Sequence, residues 1–545
     1  MKKSHIVNCI LSLFLFSLFL YLFLNSIDNY EITAFFNGDT MYLPSLYKDI
    51  FIDGFSFSGW RLQPAPAFFP DMPLYFFFMF ITGDLTISAY LFAIIQPVLL
   101  LLSFFMLLKL FFPEAIIQIL SAICIIFVII FFLSINFTSM FNLFVYMFIP
   151  NYHFSVFIMS IFSLILLINY LQTHKLKFLV LIFFITLLTA SSDLLFLEMY
   201  VMPSILTLFI LYYMKLVDID DCSYFVLSVF SAGISSLMFY YVLKKVDMLS
   251  LIQFPYDNKI DIFERITVFV NEIKNNVSFM IMLASLAIII IFTVLFFKKT
   301  FPDLNKSENI IPLYVYKIFS SIVALSVVFF PAILLDREAM VTLRYSCFVP
   351  IILFLNMAIY YLLYLKTGKF EKLQYMKTVI LCLLFIFALF QLASPVDHIG
   401  IAGYYPPITK FLDDNCEKFN LKFGLSNYSN AKLNTVFSKK GIRVYQVMIS
   451  DHTVSPYCHI NNQKWYIDEK SSKYPESYYN FILSEGMSKN GIIKFLGTPT
   501  DIVEAPGMKL LVFNNPDFNK KVKNIFAIAY IGYLNSIKNA LPSRK

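Results

Sequence analysis

Apolar runs of about 18 or more residues recur along the first 394 positions, long enough for each to cross a hydrocarbon layer as a helix. No water-soluble core needs so many. Of 545 residues, 59% are hydrophobic and only 14% charged, against roughly half and about a quarter in soluble domains. The chain therefore reads as an α-helical polytopic membrane protein. Runs near 6–25, 87–109, 115–134, 152–171, 178–193, 196–214, 223–243, 277–297, 311–335, 344–366 and 376–394 give about eleven transmembrane helices.

Lysine placement orients them. Lys2, Lys3, Lys109, Lys175, Lys177, Lys215, Lys298, Lys299, Lys366, Lys369, Lys372 and Lys377 fall on one side, which the positive-inside rule makes cytoplasmic. Lys244 and Lys245 are the exception and are placed outside. The first apolar run, Ile6 to Leu24, exceeds the roughly 7–15 residues of a signal-peptide core and lacks a small-residue cleavage site, so it reads as a retained anchor. The basic flank of that anchor puts the N-terminus in the cytoplasm, and an odd number of crossings then puts residues 395–545 on the opposite side. A multi-pass protein of the cell inner (plasma) membrane is expected, and the richness in Lys, Asn, Ile and Phe fits an AT-rich bacterial genome. The net charge of +7 follows from basic inner loops and calls for no nucleic acid; membrane lipids are the partner that the composition demands.

Between the spans, the first outer loop, 26–72, is long and dense in Asp, Pro, Gly and Tyr, so it does more than connect. Residues 73–81 read as an interfacial helix, 140–149 as a re-entrant segment, and 244–276 as a helix along the outer surface. After Pro395 the composition changes. Alternating runs at 442–447 and 509–513 and a helical stretch from Tyr478 to Met487 predict a small C-terminal α/β extracytoplasmic domain over 395–519. The tail, 520–545, reads as an amphipathic basic helix at the interface. Cys416 and Cys458 are the two cysteines of this polar region, and in an oxidising compartment they are candidates for a disulfide.

Ionisable groups near the expected outer surface are the candidates for chemistry. Asp39, in Asn37-Gly38-Asp39-Thr40, and Asp71, in Phe69-Pro70-Asp71, each suit a general base or a divalent-cation ligand. Each also fits a turn or a helix cap. Arg337 and Arg344, the latter followed by Tyr345, offer planar forks of donors to a lipid-linked phosphate, or else pair locally and snorkel. His153, Asp193 and Glu198 are supporting candidates, with a structural hydrogen-bonding role the alternative for His153. No P-loop, GxSxG elbow, HExxH or cysteine cluster occurs, so ATP-driven transport and zinc proteolysis gain no support.

This arrangement resembles the GT-C superfamily of integral-membrane glycosyltransferases, which includes the protein mannosyltransferases and the lipid A aminoarabinose transferases. The likeness rests on an acid soon after the first span (Asp39), an interfacial segment after a long first loop, a late Arg344-Tyr345 at the start of a span, and an outer C-terminal domain. The stretch from Trp60 to Asp71 is similar to a segment of bacterial membrane proteins that end in such a domain. The resemblance implies transfer of a sugar from a polyprenyl-phosphate-linked donor to a glycan, lipid or protein acceptor, with a first-loop acid as base and basic groups on the lipid phosphate. The paired acids of that family are replaced here by a lone Asp39, with Asp49, Asp53 and Asp71 scattered after it. Two rival readings stand beside it. One is a non-catalytic lipid-linked glycan carrier, flippase-like or scaffold. The other is an envelope glycan-binding module in which Trp465 and Tyr466 stack on sugar rings.

Overall fold

The computed structural model describes residues 3–25, 27–28, 31–249, 267, 271, 274–300, 310–334, 343–345, 347–365, 381–391, 400–467, 471, 473–474 and 476–540. Among these, eight helices are long and apolar enough to cross a membrane, from His5–Asn25 to Phe348–Leu365. In lipid a backbone must satisfy its own hydrogen bonds, so apolar runs of this length have little choice but helix. The protein is thus a polytopic helical membrane protein. The runs expected near 178–193 and 196–214 form shorter apolar helices, Leu176–Ser192 and Leu197–Tyr213, and the described part of the run near 376–394, Leu381–Gln391, is also an apolar helix.

Lipid offers no hydrophobic gain for packing one helix on another, so close contact and a few polar bonds hold the bundle. The first helix lies on Ile116–Asn136 through Phe16 and Phe127 (ring centroids 5.6 Å apart) and a 3.0 Å bond between the Ser12 and Ser121 hydroxyls. The Ile219–Lys245 helix instead presents Leu227, Phe230, Ile234, Leu237 and Tyr241 outward, all exposed and at helical spacing. Such a stripe belongs against lipid.

The expected interfacial segment is the helix Asp71–Thr82, stopped by Gly83 in the left-handed region (φ 63°) and exposing Phe77, Phe80 and Ile81. Residues 140–149 do not span. They form the end of the Thr138–Phe144 helix and a 3-10 turn, with Met147, Phe148 and Ile149 buried in the bundle. Most of the 244–276 surface segment lies outside the described residues.

The C-terminal region is α/β, with a six-stranded sheet. Taking β1 as Trp60–Arg61, β2 as Phe423–Ser426, β3 as Arg443–Ile449, β4 as Val454–Pro456, β5 as Asn461–Asn462, β6 as Tyr479–Leu483, β7 as Asp501–Ala505 and β8 as Met508–Val512, the order is β4-β3-β2-β6-β8-β7. The central strands β3, β2 and β6 are parallel and the edges antiparallel. Helix Tyr428–Phe437, capped by the Asn427 side chain on the Asn430 N–H (2.9 Å), makes the crossover from β2 to β3. Gly424 is required in β2, where a Cβ would meet the Phe481 ring at 2.1 Å.

Several expectations change here. The helix expected over 478–487 is strand β6, because a strand buried on both faces shows no alternation, and its apolar run does not distinguish it from a helix. The tail does not lie alone at an interface. It is the helix Pro516–Ala540, crossing the expected 519/520 boundary, and Phe518, Val522 and Phe526 are buried against the domain. Cys416 and Cys458 are both free. The Cys416 thiol donates to the Leu421 carbonyl (3.3 Å), and the two residues pack against different apolar clusters, so they are not paired. Trp465 and Tyr466 are buried, with Trp465 stacked on Tyr445 at 5.3 Å, and neither offers a face to a sugar.

The first loop is part of this C-terminal domain. Strand β1 pairs with β5, and Leu62 donates its N–H to the Met248 carbonyl (2.8 Å), drawing in the start of the later loop. At the seam Arg443, 1% exposed, donates to Asp49 (2.9 Å) and Asp53 (2.5 Å), while Lys48 and Lys473 reach Asp53 from outside. Asp49 also accepts from Trp60 (2.8 Å), Trp465 (2.9 Å) and Asn462 (3.0 Å). Both acids are thereby committed to holding the loop on the domain.

Candidate functional site

Where the loop, the domain and the bundle meet lies a cavity of about 690 Å³. Asp39, Gln63, Asn151, Tyr152, His153, Asp193, Glu198, Arg344, Tyr345 and His459 line it, with Leu194, Leu195, Leu197 and Met202 as an apolar wall. Asp39, Arg344, Tyr345, His153, Asp193 and Glu198, singled out in the sequence, are brought together. Asp71 does not line this cavity, and Arg337 lies outside the described residues.

Asp39 is presented by a turn that its neighbours build. The Asn37 side-chain oxygen accepts the N–H groups of Asp39 (2.9 Å) and Thr40 (3.1 Å), and the Thr40 hydroxyl oxygen accepts the Asn37 N–H (2.7 Å). The Asx turn is thus made by Asn37, leaving the Asp39 carboxylate for other partners. From the C-terminal domain, Tyr428 donates its hydroxyl to Asp39 Oδ1 (2.8 Å), and Lys432 donates to the Gly38 carbonyl (3.0 Å) while lying 3.9 Å over the Tyr428 ring. Gly38 admits that ring, since a Cβ there would fall 2.5 Å from it. Burial pushes the Lys432 ammonium well below the usual lysine range, with the Asp39 charge pulling the other way.

On the bundle side, His153 stands in the left-handed region (φ 68°) just before Phe154–Thr173, with Nδ1 2.5 Å from Asp193 Oδ2 and its ring 5.0 Å from Tyr345. Asp193 Oδ1 accepts the Leu195 N–H (3.0 Å). Arg344 donates to the Tyr345 hydroxyl (3.0 Å), and Asp39 is near enough for its charge to act on the guanidinium. Asp71 sits behind His153, buried and accepting the Asn151 N–H at 2.7 Å. Burial, with the Asp193 charge adding to it, raises its carboxyl to about 6. Among the described residues, no three His, Cys, Asp or Glu side chains gather to hold a metal ion.

Tyr428, Lys432 and His459 escaped the sequence reading because nothing local marks them. Only the scarcity of histidine, six in the chain, was a signal for His459. Burial, with the Lys432 charge next, pushes His459 from 6.5 down to about 4. The unfolded chain therefore takes up this proton below about 6.5, while the folded one does not until about 4. The neutral-His contribution to stability is full above that window and is lost as pH falls through it. Unfolding midpoints measured from neutral pH to about 4 are expected to drop less steeply in His459→Gln than in wild type.

Compared with protein-family models and with curated proteins, the chain matches neither.

Proposed function

We propose that this protein is a membrane glycosyltransferase that moves a sugar from a polyprenyl-phosphate-linked donor to an acceptor on the outer face of the membrane. The observation that carries this reading is the meeting of a carboxylate, Asp39, and a guanidinium, Arg344, in one cavity between the bundle and the outer domain. Asp39 takes the proton of the acceptor hydroxyl, whose oxygen attacks the anomeric carbon. The bond from that carbon to the phosphate oxygen breaks, and Arg344 stabilises the charge on the departing lipid phosphate. Lysine placement supports a cytoplasmic N-terminus and about eleven crossings, with the cavity facing outward. The apolar wall and the level of the cavity, at one end of the helices, suit a ligand that stays in the membrane while its headgroup reacts.

The test is transfer of label from a pool of radiolabelled polyprenyl-phosphate sugars by the full chain reconstituted in lipid. Between the two candidate bases, the geometry favours Asp39. Asp71→Asn keeps an acceptor for the Asn151 N–H and removes a carboxyl that burial disfavours, so it is expected to retain transfer near the wild-type rate. Loss of transfer in a folded Asp71→Asn protein would move the base to that residue. Tight binding of lipid-linked sugars with no transfer from any donor would favour the carrier.

A further inference from the structure

Glu198 lines the cavity, is 5% exposed, and has one oxygen, Oε1, buried with no hydrogen-bond donor. The other cavity carboxylates have partners: Asp193 has the Leu195 N–H and His153, and Asp39 has Tyr428. Glu198 belongs to a π-helical turn, Leu197–Val201, a rare geometry that re-aims side chains and recurs at functional positions. The same cavity contains a second orphan of opposite character, Arg344 Nε, buried without an acceptor. A buried acceptor and a buried donor left unmade each cost free energy, and one ligand can satisfy both.

We propose that Glu198 is a recognition residue for the group carried by an anionic ligand. It accepts a hydrogen bond from a hydroxyl or an ammonium on that group while the ligand's phosphate meets Arg344. This rests on the transferase reading for the phosphate, and adds to it the residue that distinguishes a sugar-bearing lipid phosphate from a bare one. Leu194, Leu195 and Leu197 beside it offer the carried group no hydrogen bond from their side chains, so the Glu198 carboxylate dominates polar recognition along that wall.

The experiment measures equilibrium binding of three probes to the full chain in phosphatidylcholine nanodiscs: decyl phosphate, its glucose ester and its 2-amino-2-deoxyglucose ester. Wild type is expected to bind both esters more tightly than decyl phosphate. Glu198→Leu is expected to weaken the esters by about 10-fold, the loss of one buried hydrogen bond, and to leave decyl phosphate unchanged. Glu198→Gln, which keeps an acceptor and the side-chain volume, reports if the leucine variant does not fold. It retains the glucose ester if a hydroxyl is the partner, and loses preference for the amino ester if an ammonium is. Equal losses for all three probes, or no change for any, would overturn the assignment while leaving the transferase reading intact, provided that Arg344→Gln still weakens decyl phosphate. Failure of wild type to bind any probe would overturn both.

Discussion

Arg443→Ala is expected to destabilise the C-terminal domain by about 3–5 kcal/mol, because it leaves two buried carboxylates without their shared cation. Asp49 and Asp53 are 1% and 0% exposed, too buried for bulk solvent to replace the guanidinium. Arg443 also packs its charged face 4.5 Å over the Phe55 ring and 5.1 Å over Trp465, so the truncation loses packing as well. The chain's own fluorescence reads this site. Both of its tryptophans, Trp60 and Trp465, donate to Asp49, and their rings meet edge to face at 5.6 Å. A fall in the tryptophan-detected unfolding midpoint on the order of 10 °C is expected for a domain of this size. An unchanged midpoint would mean that the cluster does not hold the loop to the domain. Removal of the surface partner of Asp53, Lys473→Ala, is expected to have little effect, since Lys473 is half exposed and solvent screens it.

The second large effect concerns Arg344. In the proposed reaction the leaving phosphate gains charge in the transition state, so the guanidinium acts where charge develops and not merely where substrate binds. Arg344→Gln is expected to lower kcat on the order of 100- to 1,000-fold, the range seen when one preorganised donor to a developing anion is removed. Arg344→Lys keeps the charge but not the fork of donors, and is expected to recover only part of that loss. A rise in KM with kcat unchanged would show that Arg344 contributes uniform binding and leave the leaving-group charge to another residue.

The membrane part of this fold was legible because apolar length in lipid leaves so few solutions: each expected run is represented by an apolar helix, eight of them long enough to span among the described residues. Asp39, Arg344, His153, Asp193 and Glu198 were legible for a related reason, since charge near an apolar run is costly and stands out. The roles of Asp49 and Asp53 were not. Their partner Arg443 is 394 and 390 residues away, and nothing in the loop announces it. Tyr428 reaches Asp39 across 389 residues in the same way. Sorting the acids of the first loop therefore required the tertiary fold, which places Asp49 and Asp53 at the seam, Asp39 on the cavity and Asp71 away from it. Strand β6 was misread because Tyr479, Asn480, Phe481, Ile482 and Leu483 are all buried, which erases the alternation that betrays half-buried strands.

The C-terminal domain supplies part of the cavity. Tyr428 and Lys432 grip the Gly38-Asp39 turn, and His459 forms a wall, so the chemistry proposed for the loop depends on a domain near the far end of the chain. A chain ending before residue 395 would lack that wall and the ion-paired seam that fixes the loop.

The measurement that bears most directly on the proposed activity compares wild type and Asp39→Asn for transfer of label from polyprenyl-phosphate sugars in reconstituted membranes. A transferase with Asp39 as base is expected to transfer label as wild type and to lose about 100- to 10,000-fold of that rate as Asp39→Asn, with the tryptophan-detected midpoint preserved. Equal transfer by the two proteins would contradict Asp39 as the base, and no transfer by wild type from any donor would contradict the enzyme itself.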